Sequence, residues 1–177
     1  MSRDSIEPVN PVEVKVVRAE DLAHFLELKL RDMEKRRETG AASDYGPLTD
    51  EIDGVSEDEM KRRLRQQGTW LVYAEQNKKL KGMAAAKFYP KSGIAFVYNV
   101  FTDESIRNQG IARELMEKLL AEIVKNVSVS VVHLGDVRNP TSVGLYERMG
   151  FQKAAPTGIG LFDGKGSEAH PMSKTIR

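Results

Sequence analysis

The segment from residue 93 to residue 137 constrains the fold of this chain more than any other part of the sequence. It contains a mostly apolar run at 93–102, an amphipathic stretch at 111–123 and an alternating run at 127–137. These patterns predict a central strand, a helix and a second strand. Two strands joined through a helix form a right-handed crossover and lie parallel in one sheet. The sequence therefore predicts a mixed sheet with helices on its faces.

Further strands and helices are predicted on both sides of this unit. A hairpin turn around Asn77 to Lys79 joins two extended runs, and Ser56 with Glu59 is a capping-box pattern that begins a helix. The additional strands are expected at 12–17, 69–76, 81–90, about 152–161 and about 171–176, with a turn near DGKG at 163–166. The additional helices are expected at 19–38, from 56 to about 67, and from Asn139, a candidate cap, to Gly150.

Two of the helices carry apolar residues at helical spacing, which predicts the side that each turns toward the core. In the helix at 19–38 these residues are Leu22, Phe25, Leu26, Leu30 and Met33. In the helix at 111–123 they are Ile111, Leu115, Met116, Leu119, Leu120 and Ile123.

The composition indicates one domain in a reducing compartment. The chain has 177 residues, and we interpret residues 1–11 as a flexible lead-in and residues 12–177 as a single domain. It contains no cysteine, which excludes disulfides and thiolate nucleophiles and favours a cytoplasmic location. The formal net charge of +1 gives no general attraction for nucleic acid or an anionic membrane. Its three histidines are too scattered to predict a metal site.

The stretch RNQGIARELMEKLLAEI, residues 107–123, begins as a loop and continues as a helix. A helix N-terminus has backbone N–H groups without partners and about half a positive charge, so phosphates bind there. Gly110 and Ala112 keep the main chain accessible, while Arg107 and Arg113 add charge. The alternative is that Gly110 only eases a tight turn, since so short a motif also occurs by chance.

A second group of residues follows in the same strand–helix–strand context: Asn139, then Leu145-Tyr146, then Gly150-Phe151. Together the two motifs resemble those of the GNAT superfamily of acetyl-CoA-dependent N-acetyltransferases. In that family an R/Q-x-x-G-x-G/A loop opens a helix, and a later Asn-containing segment ends in Leu-Tyr and Gly-Phe. The resemblance implies an α/β (α+β), three-layer fold. Its central sheet is mixed and mostly antiparallel, with about seven strands, about four helices and a splay between the fourth and fifth strands.

The resemblance also implies where acetyl-CoA binds, without a metal. In the family the pantetheine arm pairs, like an extra strand, with main chain that corresponds here to Val100, Phe101 and Thr102. The pyrophosphate loop corresponds to Arg107, Asn108, Gln109, Gly110, Ile111, Ala112 and Arg113. Asn139 corresponds to a contact near the thioester, although it is equally a plain helix N-cap.

Tyr146 corresponds to the residue most often taken as the general acid. In this chemistry an amine attacks the thioester directly, backbone N–H groups near Phe101 would stabilise the oxyanion, and the leaving thiolate benefits from a proton. A tyrosine in an amphipathic helix is also often half-buried core. His133 and Asp136 are the nearby candidates for a general base, but the segment before Asn139 is shorter than the family's, so neither is assigned. His133 is equally a strand residue that faces solvent.

An acidic stretch between the first helices bears on the acceptor. It contains no lysine or arginine and includes Asp44, Asp50, Glu51, Asp53, Glu57, Asp58 and Glu59. An acidic rim would attract a cationic acceptor, whereas the simpler interpretation is that the last three acids begin a helix. The predicted function is acetyl transfer from acetyl-CoA to a primary amine of a small molecule or peptide. A non-catalytic acyl-CoA-binding sensor or interaction module with the same fold is the alternative, and a homodimer is compatible with either.

Overall fold

A computed structural model describes residues 10–39, 55–135, 137–158 and 170–177. Its elements, in chain order, are β1 (Glu13–Val16), α1 (Leu22–Thr39), α2 (Glu57–Arg65), β2 (Thr69–Gln76), β3 (Lys79–Tyr89), β4 (Ile94–Thr102), a short 3-10 helix (Glu104–Ile106), α3 (Ile111–Ile123), β5 (Val131–Leu134), α4 (Pro140–Arg148), β6 (Gln152–Lys153) and β7 (Met172–Thr175). The order of strands and α-helices is the predicted one. Within these residues no helix is both long enough and apolar enough to cross a bilayer.

The strands form one seven-stranded sheet in the order β1-β2-β3-β4-β5-β7-β6. β4 and β5 are parallel, with Ile94 opposite Val131 and Val97 opposite Leu134. The other neighbours are antiparallel, so the mixed, mostly antiparallel sheet is confirmed. β4 continues beyond Val97 to Thr102, where it has no partner in β5. The two strands therefore separate at this end, which is the splay that the resemblance implied.

Each face of the sheet packs a hydrophobic core, because side chains alternate along the strands. On one face Leu115 and Leu119 of α3 and Tyr146 of α4 pack over the sheet. On the other face Phe25 of α1 and Met60 of α2 do the same. The helices thus lie on both faces of the sheet, and the end of β4 lies between them.

The predicted apolar stripe is confirmed for α3 and partly wrong for α1. All six α3 residues lie in or against the core, with only Leu120 half-buried. In α1, Leu30 is 59% exposed, whereas Leu28 and Lys29 are buried. At about 100° per residue the buried arc of α1 centres between Phe25 and Lys29, which places Leu30 on the far side. The angle at which α1 crosses the sheet sets this arc, and the sequence does not give that angle.

The predicted hairpin turn and the predicted residues at the helix ends are confirmed. Asn77 and Lys78, both at positive φ, form the two-residue turn between β2 and β3, as a type I′ hairpin turn requires. The side chains of Ser56 and Asn139 cap α2 and α4, and Gly150 ends α4 at φ +86°. These features depend only on neighbours in the chain.

The extents of two strands were overestimated. β5 covers Val131–Leu134, because the residues before it close α3 in a turn where the N–H of Val129 donates to the carbonyl of Asn126. β6 is limited to Gln152–Lys153, since it is an edge strand that pairs only with β7. The end of the range expected for β6 and the expected DGKG turn lie outside the described residues.

Candidate active site

A cleft of about 590 Å³ opens between the end of β4, the N-terminus of α3 and one side of α4. This volume lies within the range of small-molecule sites. Every predicted site residue except Gln109 lines it: Val100, Phe101, Thr102, Arg107, Asn108, Gly110, Ile111, Ala112, Arg113, Asn139 and Tyr146. The Gln109 side chain instead donates to the carbonyl of Ser105 at 3.3 Å. Ile106, Thr141, Ser142, Leu145 and Arg148 also line the cleft and were not predicted as site residues.

The end of β4 forms one wall of the cleft and contains a β-bulge at Asn99. This residue has φ +52°, and the register between β3 and β4 shifts by one residue here. Asparagine enters the left-handed region more readily than most residues, and a bulge bends its strand. From Val100 to Thr102 the strand edge that faces away from β3 has no strand partner in the described part of the chain. An extended ligand arm can pair with this free edge.

Two residues that the sequence analysis did not single out shape this wall. A Cβ atom on Gly82 would lie 2.8 Å from the backbone oxygen of Phe101 and 3.1 Å from a methyl group of Leu115, so only glycine fits. The Nδ2 atom of Asn99 is buried and has no hydrogen-bond partner among the described residues. An unsatisfied buried donor costs about 1–3 kcal/mol. No local pattern identifies either residue, because both depend on the packing of β3 against β4.

The N-terminus of α3 forms the second wall. Gly110 caps the helix at φ +81°, and the space around its missing Cβ atom is empty to 4 Å. The N–H groups of Ile111, Ala112 and Arg113 donate to no backbone acceptor in the described part of the chain. Unpaired N–H groups at the positive end of a helix bind anions. The geometry therefore fits a phosphate group, as the sequence motif predicts.

Two arginines beside this helix end are already paired. Arg107 donates to the carboxylate of Glu104 at 3.2 Å and to the carbonyl of Thr102 at 3.4 Å. Arg113 donates to Glu117, one turn along α3, at 2.7 Å. These contacts partly neutralise both cations. The backbone N–H groups, more than these side chains, therefore make the helix end an anion site.

α4 forms the third wall and presents Asn139 and Tyr146. Asn139 Oδ1 accepts a hydrogen bond from the N–H of Thr141 at 2.9 Å, which leaves the side-chain NH₂ group for another partner. Tyr146 is only 5% exposed, and its ring packs edge-to-face on Phe151 with centroids 5.8 Å apart. Burial raises the pKa of the Tyr146 phenol to about 12. The phenol is therefore protonated at neutral pH and can supply a proton, but it cannot act as a base there.

Of the two candidate general bases, the structure describes only His133, and it does not lie on this side of the sheet. His133 is 1% exposed, so the expectation of a solvent-facing strand residue is wrong. Its ring lies 5.7 Å from that of Phe96, on the face covered by α1 and α2, whereas Tyr146 packs on the opposite face. Asp136 lies outside the described residues. Within the described ranges no three histidines or acids are grouped so that they could hold a metal ion.

The acidic stretch divides into two parts. Asp44, Asp50, Glu51 and Asp53 lie outside the described residues. Glu57, Asp58 and Glu59 form the first turn of α2. Glu57 pairs with Lys61 at 2.6 Å, and hydrogen bonds from Arg62 and Arg63 lower the pKa of Glu59 to about 2. For these three residues the structure supports the helix-start interpretation.

The comparisons with known proteins agree with this geometry. The family model for the acetyltransferase (GNAT) family matches residues 29–151. A search among curated protein sequences gives no match.

Solved structures with the same fold cover nearly the whole chain. A GNAT-family acetyltransferase from Staphylococcus aureus Mu50 is 14% identical and has a TM-score of 0.61, with 94% of this chain and 100% of that chain covered. The PaiA N-acetyltransferase of Thermoplasma acidophilum, solved in complex with coenzyme A, is 17% identical with a TM-score of 0.58 and coverages of 94% and 99%. The ribosomal-protein-S18-alanine N-acetyltransferase of Escherichia coli is 20% identical with a TM-score of 0.55, and 94% of each chain is covered. At these identities the likeness establishes the fold.

Proposed function

This chain belongs to the GNAT family of acetyltransferases, and we propose that it transfers the acetyl group of acetyl-CoA to a primary amine of a small molecule or peptide. One observation carries the proposal: the open N-terminus of α3 at Gly110 and the buried phenol of Tyr146 line the same cleft. The first is an anion site, and the second is a protonated donor. Together they suit a ligand with phosphates at one end and a reactive thioester at the other.

The three walls suggest how acetyl-CoA is held. The diphosphate accepts hydrogen bonds from the N–H groups of Ile111, Ala112 and Arg113. The pantetheine arm pairs with the free edge of β4 from Val100 to Thr102. The NH₂ group of Asn139, whose oxygen caps α4, is free to donate to the arm. Among the described residues, the N–H groups of α3 and the NH₂ group of Asn139 have no other partner, and the carbonyl of Thr102 accepts a hydrogen bond only from Arg107.

The reaction needs a proton donor at the sulfur. The neutral amine nitrogen forms a bond to the thioester carbon, and the carbonyl oxygen becomes an oxyanion that backbone N–H groups near Phe101 stabilise. The carbon–sulfur bond then breaks, and Tyr146 gives its proton to the leaving thiolate. The phenolate recovers a proton from the nitrogen that has become an amide. The products are the N-acetylated amine and free CoA thiol.

The raised pKa of Tyr146 affects when its proton moves to the leaving thiolate. A phenol with a pKa of about 12 is a weaker acid than an ordinary thiol, whose pKa is about 8.5. Full transfer to a free thiolate would therefore be uphill by about 3.5 pK units, or about 5 kcal/mol. We expect the hydrogen bond to strengthen as charge develops on the sulfur, with the proton passing late. This step stabilises the transition state rather than the bound substrate.

Thiol release tests the proposal. Purified protein is mixed with acetyl-CoA and a panel of diamines, polyamines, aminoglycosides and peptide N-termini, and free CoA thiol is followed with DTNB. The Tyr146→Phe variant should lower kcat by about 10²–10⁴-fold and leave the calorimetric Kd for acetyl-CoA within about twofold. Tyr73→Phe is the matched control, because Tyr73 is 3% exposed but packs on the other face of the sheet. It should keep the wild-type kcat.

Two outcomes would redirect the assignment. Tight binding of acetyl-CoA without thiol release across the whole panel would favour the non-catalytic sensor or interaction module. A Tyr146→Phe variant with unchanged kcat would remove the phenol from the mechanism.

For the acceptor, we propose that the acidic stretch attracts a cation, so that neutralising Asp50, Glu51 and Asp53 together raises the KM of a cationic acceptor. An unchanged KM would contradict that part.

A further inference from the structure

A second cavity, which we call the distal cavity, lies at the end of α3 away from Gly110. It is formed by the residues at the end of β1 and just after it, the C-terminal end of α2, the start of β2 and Glu122 of α3. Its volume is about 210 Å³, and none of its described lining residues also lines the cleft at Gly110. α3 has 13 residues and is about 20 Å long, so the length of this helix separates the two sites.

Thr69 and Trp70, the first residues of β2, line the distal cavity with polar groups that have no protein partner. They are only 3% and 6% exposed, and neither side chain makes a hydrogen bond with any described residue. Among these residues the one fully enclosed side-chain atom without a partner is Nδ2 of Asn99. The hydroxyl of Thr69 and the indole N–H of Trp70 are therefore open, and the distal cavity is the space that both residues line.

The position of these two residues in the sheet explains how they share one cavity. Successive side chains of a strand point to opposite faces. Thr69 and Trp70 lie beyond Val72, the last residue of β2 that pairs with β1. They form the edge of the sheet there, so a cavity at this edge is lined by side chains from both faces.

Arg65 supplies the distal cavity with a cation. It is the last residue of α2, it is exposed, and it makes no ion pair or hydrogen bond within the described part of the chain. An arginine and an indole N–H can only donate hydrogen bonds, and a hydroxyl can donate one. The available polar groups of the cavity therefore suit a ligand that accepts hydrogen bonds and is negatively charged.

The other charges around the distal cavity balance one another. Glu122 accepts hydrogen bonds from Arg18 at 2.9 and 3.1 Å and from Lys125 at 2.6 Å. The hydrogen bonds to Glu122 raise the pKa of Arg18, and the nearby charges of Glu20 and Asp21 raise it further. Asp21 directly precedes α1, whose positive N-terminal end offsets its charge. Two cations therefore face Glu122 and Glu20, and the guanidinium of α2 remains as one positive charge.

We propose that the distal cavity binds a small carboxylate with an apolar body. The carboxylate accepts hydrogen bonds from Arg65, whose planar fork matches it, and from the hydroxyl of Thr69 and the indole of Trp70. The apolar body packs against Leu64 and Ala19, which also line the cavity. The volume lies below the usual range for drug-sized ligands, so the ligand is small. This site goes beyond the proposed function, because it needs no CoA.

The competing explanation is that the distal cavity holds only solvent and that Arg65 stabilises the C-terminal end of α2, where cations are favoured. Arg62 offers a matched control. It is also an exposed arginine of α2, but it is bonded to Glu59 and does not line the cavity. Arg65→Gln and Arg62→Gln remove the same charge from the same helix, whereas only the first should affect binding.

The fluorescence of Trp70 provides the test, because Trp70 is the single tryptophan of the chain and lines the distal cavity. The probe is cyclohexanecarboxylate, which does not absorb the excitation light. We expect a saturable change with a Kd of about 1 mM or lower. The neutral cyclohexanemethanol should bind about fivefold more weakly, the upper range for an exposed ion pair. Acetate should bind more weakly still, because it buries almost no apolar surface.

Variants should locate the binding at the distal cavity. Arg65→Gln should weaken the binding of cyclohexanecarboxylate about fivefold and leave that of cyclohexanemethanol unchanged, and Arg62→Gln should change neither. Thr69→Val removes one hydrogen bond and should weaken the binding of the carboxylate about 2- to 10-fold. It should keep the wild-type melting temperature, because the hydroxyl has no protein partner.

Four results would overturn the inference. They are the absence of a saturable change in the wild-type protein, equal affinities for the carboxylate and the alcohol, an equal effect of Arg65→Gln and Arg62→Gln, and a Thr69→Val variant that melts well below wild type. The last result would show that the hydroxyl has a structural partner. Failure of the proposed function would leave these measurements unchanged, because they contain no CoA.

Discussion

Replacement of Gly110 by alanine separates backbone strain from ligand binding at the proposed phosphate site. Gly110 has φ +81°, a region in which a residue with a Cβ atom is strained. Among the described residues no atom lies within 4 Å of the position of the added methyl group. Gly158 provides a control, since it has φ +72°, no atom of the described residues within 4 Å of an added Cβ atom, and no place in the cleft.

The stability cost should be the same at both positions. An L-residue in the left-handed region costs about 1–2 kcal/mol. The lower entropy of the unfolded alanine chain offsets about 0.4–1 kcal/mol of this. The net loss is about 1 kcal/mol, or about 2–4 °C in melting temperature for a chain of this size. Differential scanning fluorimetry of Gly110→Ala and Gly158→Ala measures both.

The affinity cost should appear at Gly110 alone. Its methyl group would occupy the space through which a phosphate oxygen reaches the N–H groups of α3. Loss of one charge-assisted hydrogen bond costs about 1.5–3 kcal/mol, which corresponds to a Kd for acetyl-CoA about 10- to 150-fold weaker. Calorimetry of the two variants against wild type gives this ratio. If Gly110→Ala binds acetyl-CoA as tightly as Gly158→Ala does, the assignment of the helix end as the phosphate site is wrong.

Three further predictions concern stability and titration. The part of the tyrosinate absorbance that is lost in Tyr146→Phe should titrate near pH 12, whereas an ordinary tyrosine titrates near pH 10. Ionisation of this phenol should therefore lower the free energy of unfolding as the pH rises from about 10 to about 12. If this absorbance titrates near pH 10, the usual value, the phenol is exposed. Burial would raise the pKa of Glu122, but hydrogen bonds from Arg18, at 2.9 and 3.1 Å, and from Lys125 lower it overall. The stabilisation from this carboxylate is therefore present above about pH 4.3, the pKa in the unfolded chain, and is lost as the pH falls through the lower pKa of the folded protein. Urea unfolding should show that the free energy of unfolding of Glu122→Gln decreases less toward acid pH than that of the wild-type protein. If the two proteins lose the same free energy over this pH range, the ion pair is contradicted. In Gly82→Ala the new Cβ atom would lie 2.8 Å from the backbone oxygen of Phe101. This overlap should lower the free energy of unfolding by about 1–3 kcal/mol and weaken acetyl-CoA binding, because it displaces the end of β4. A variant with wild-type stability would show that the strand can shift freely.

The sequence by itself determined the features that depend on neighbours in the chain. The Asn77-Lys78 turn, the side-chain cap at Asn139 and the apolar stripe of α3 follow from backbone preferences and helical periodicity within a few residues. The order of strands and helices follows for the same reason. The positions of Gly110 and Tyr146 in the family motifs identified two walls of the cleft before their geometry was known.

The tertiary structure decided which side chains are left available and which are engaged. Arg107 and Arg148 look alike in the sequence, but the first is bonded to Glu104, whereas the second has no partner in the described part of the chain. His133 lies in an alternating strand that suggests one solvent-facing side, yet both faces of the sheet are covered by helices, so it is buried. The bulge at Asn99 arises only when β4 pairs with β3. Pairing, burial and strand separation are set by contacts between residues far apart in the chain, and a sequence pattern does not contain them.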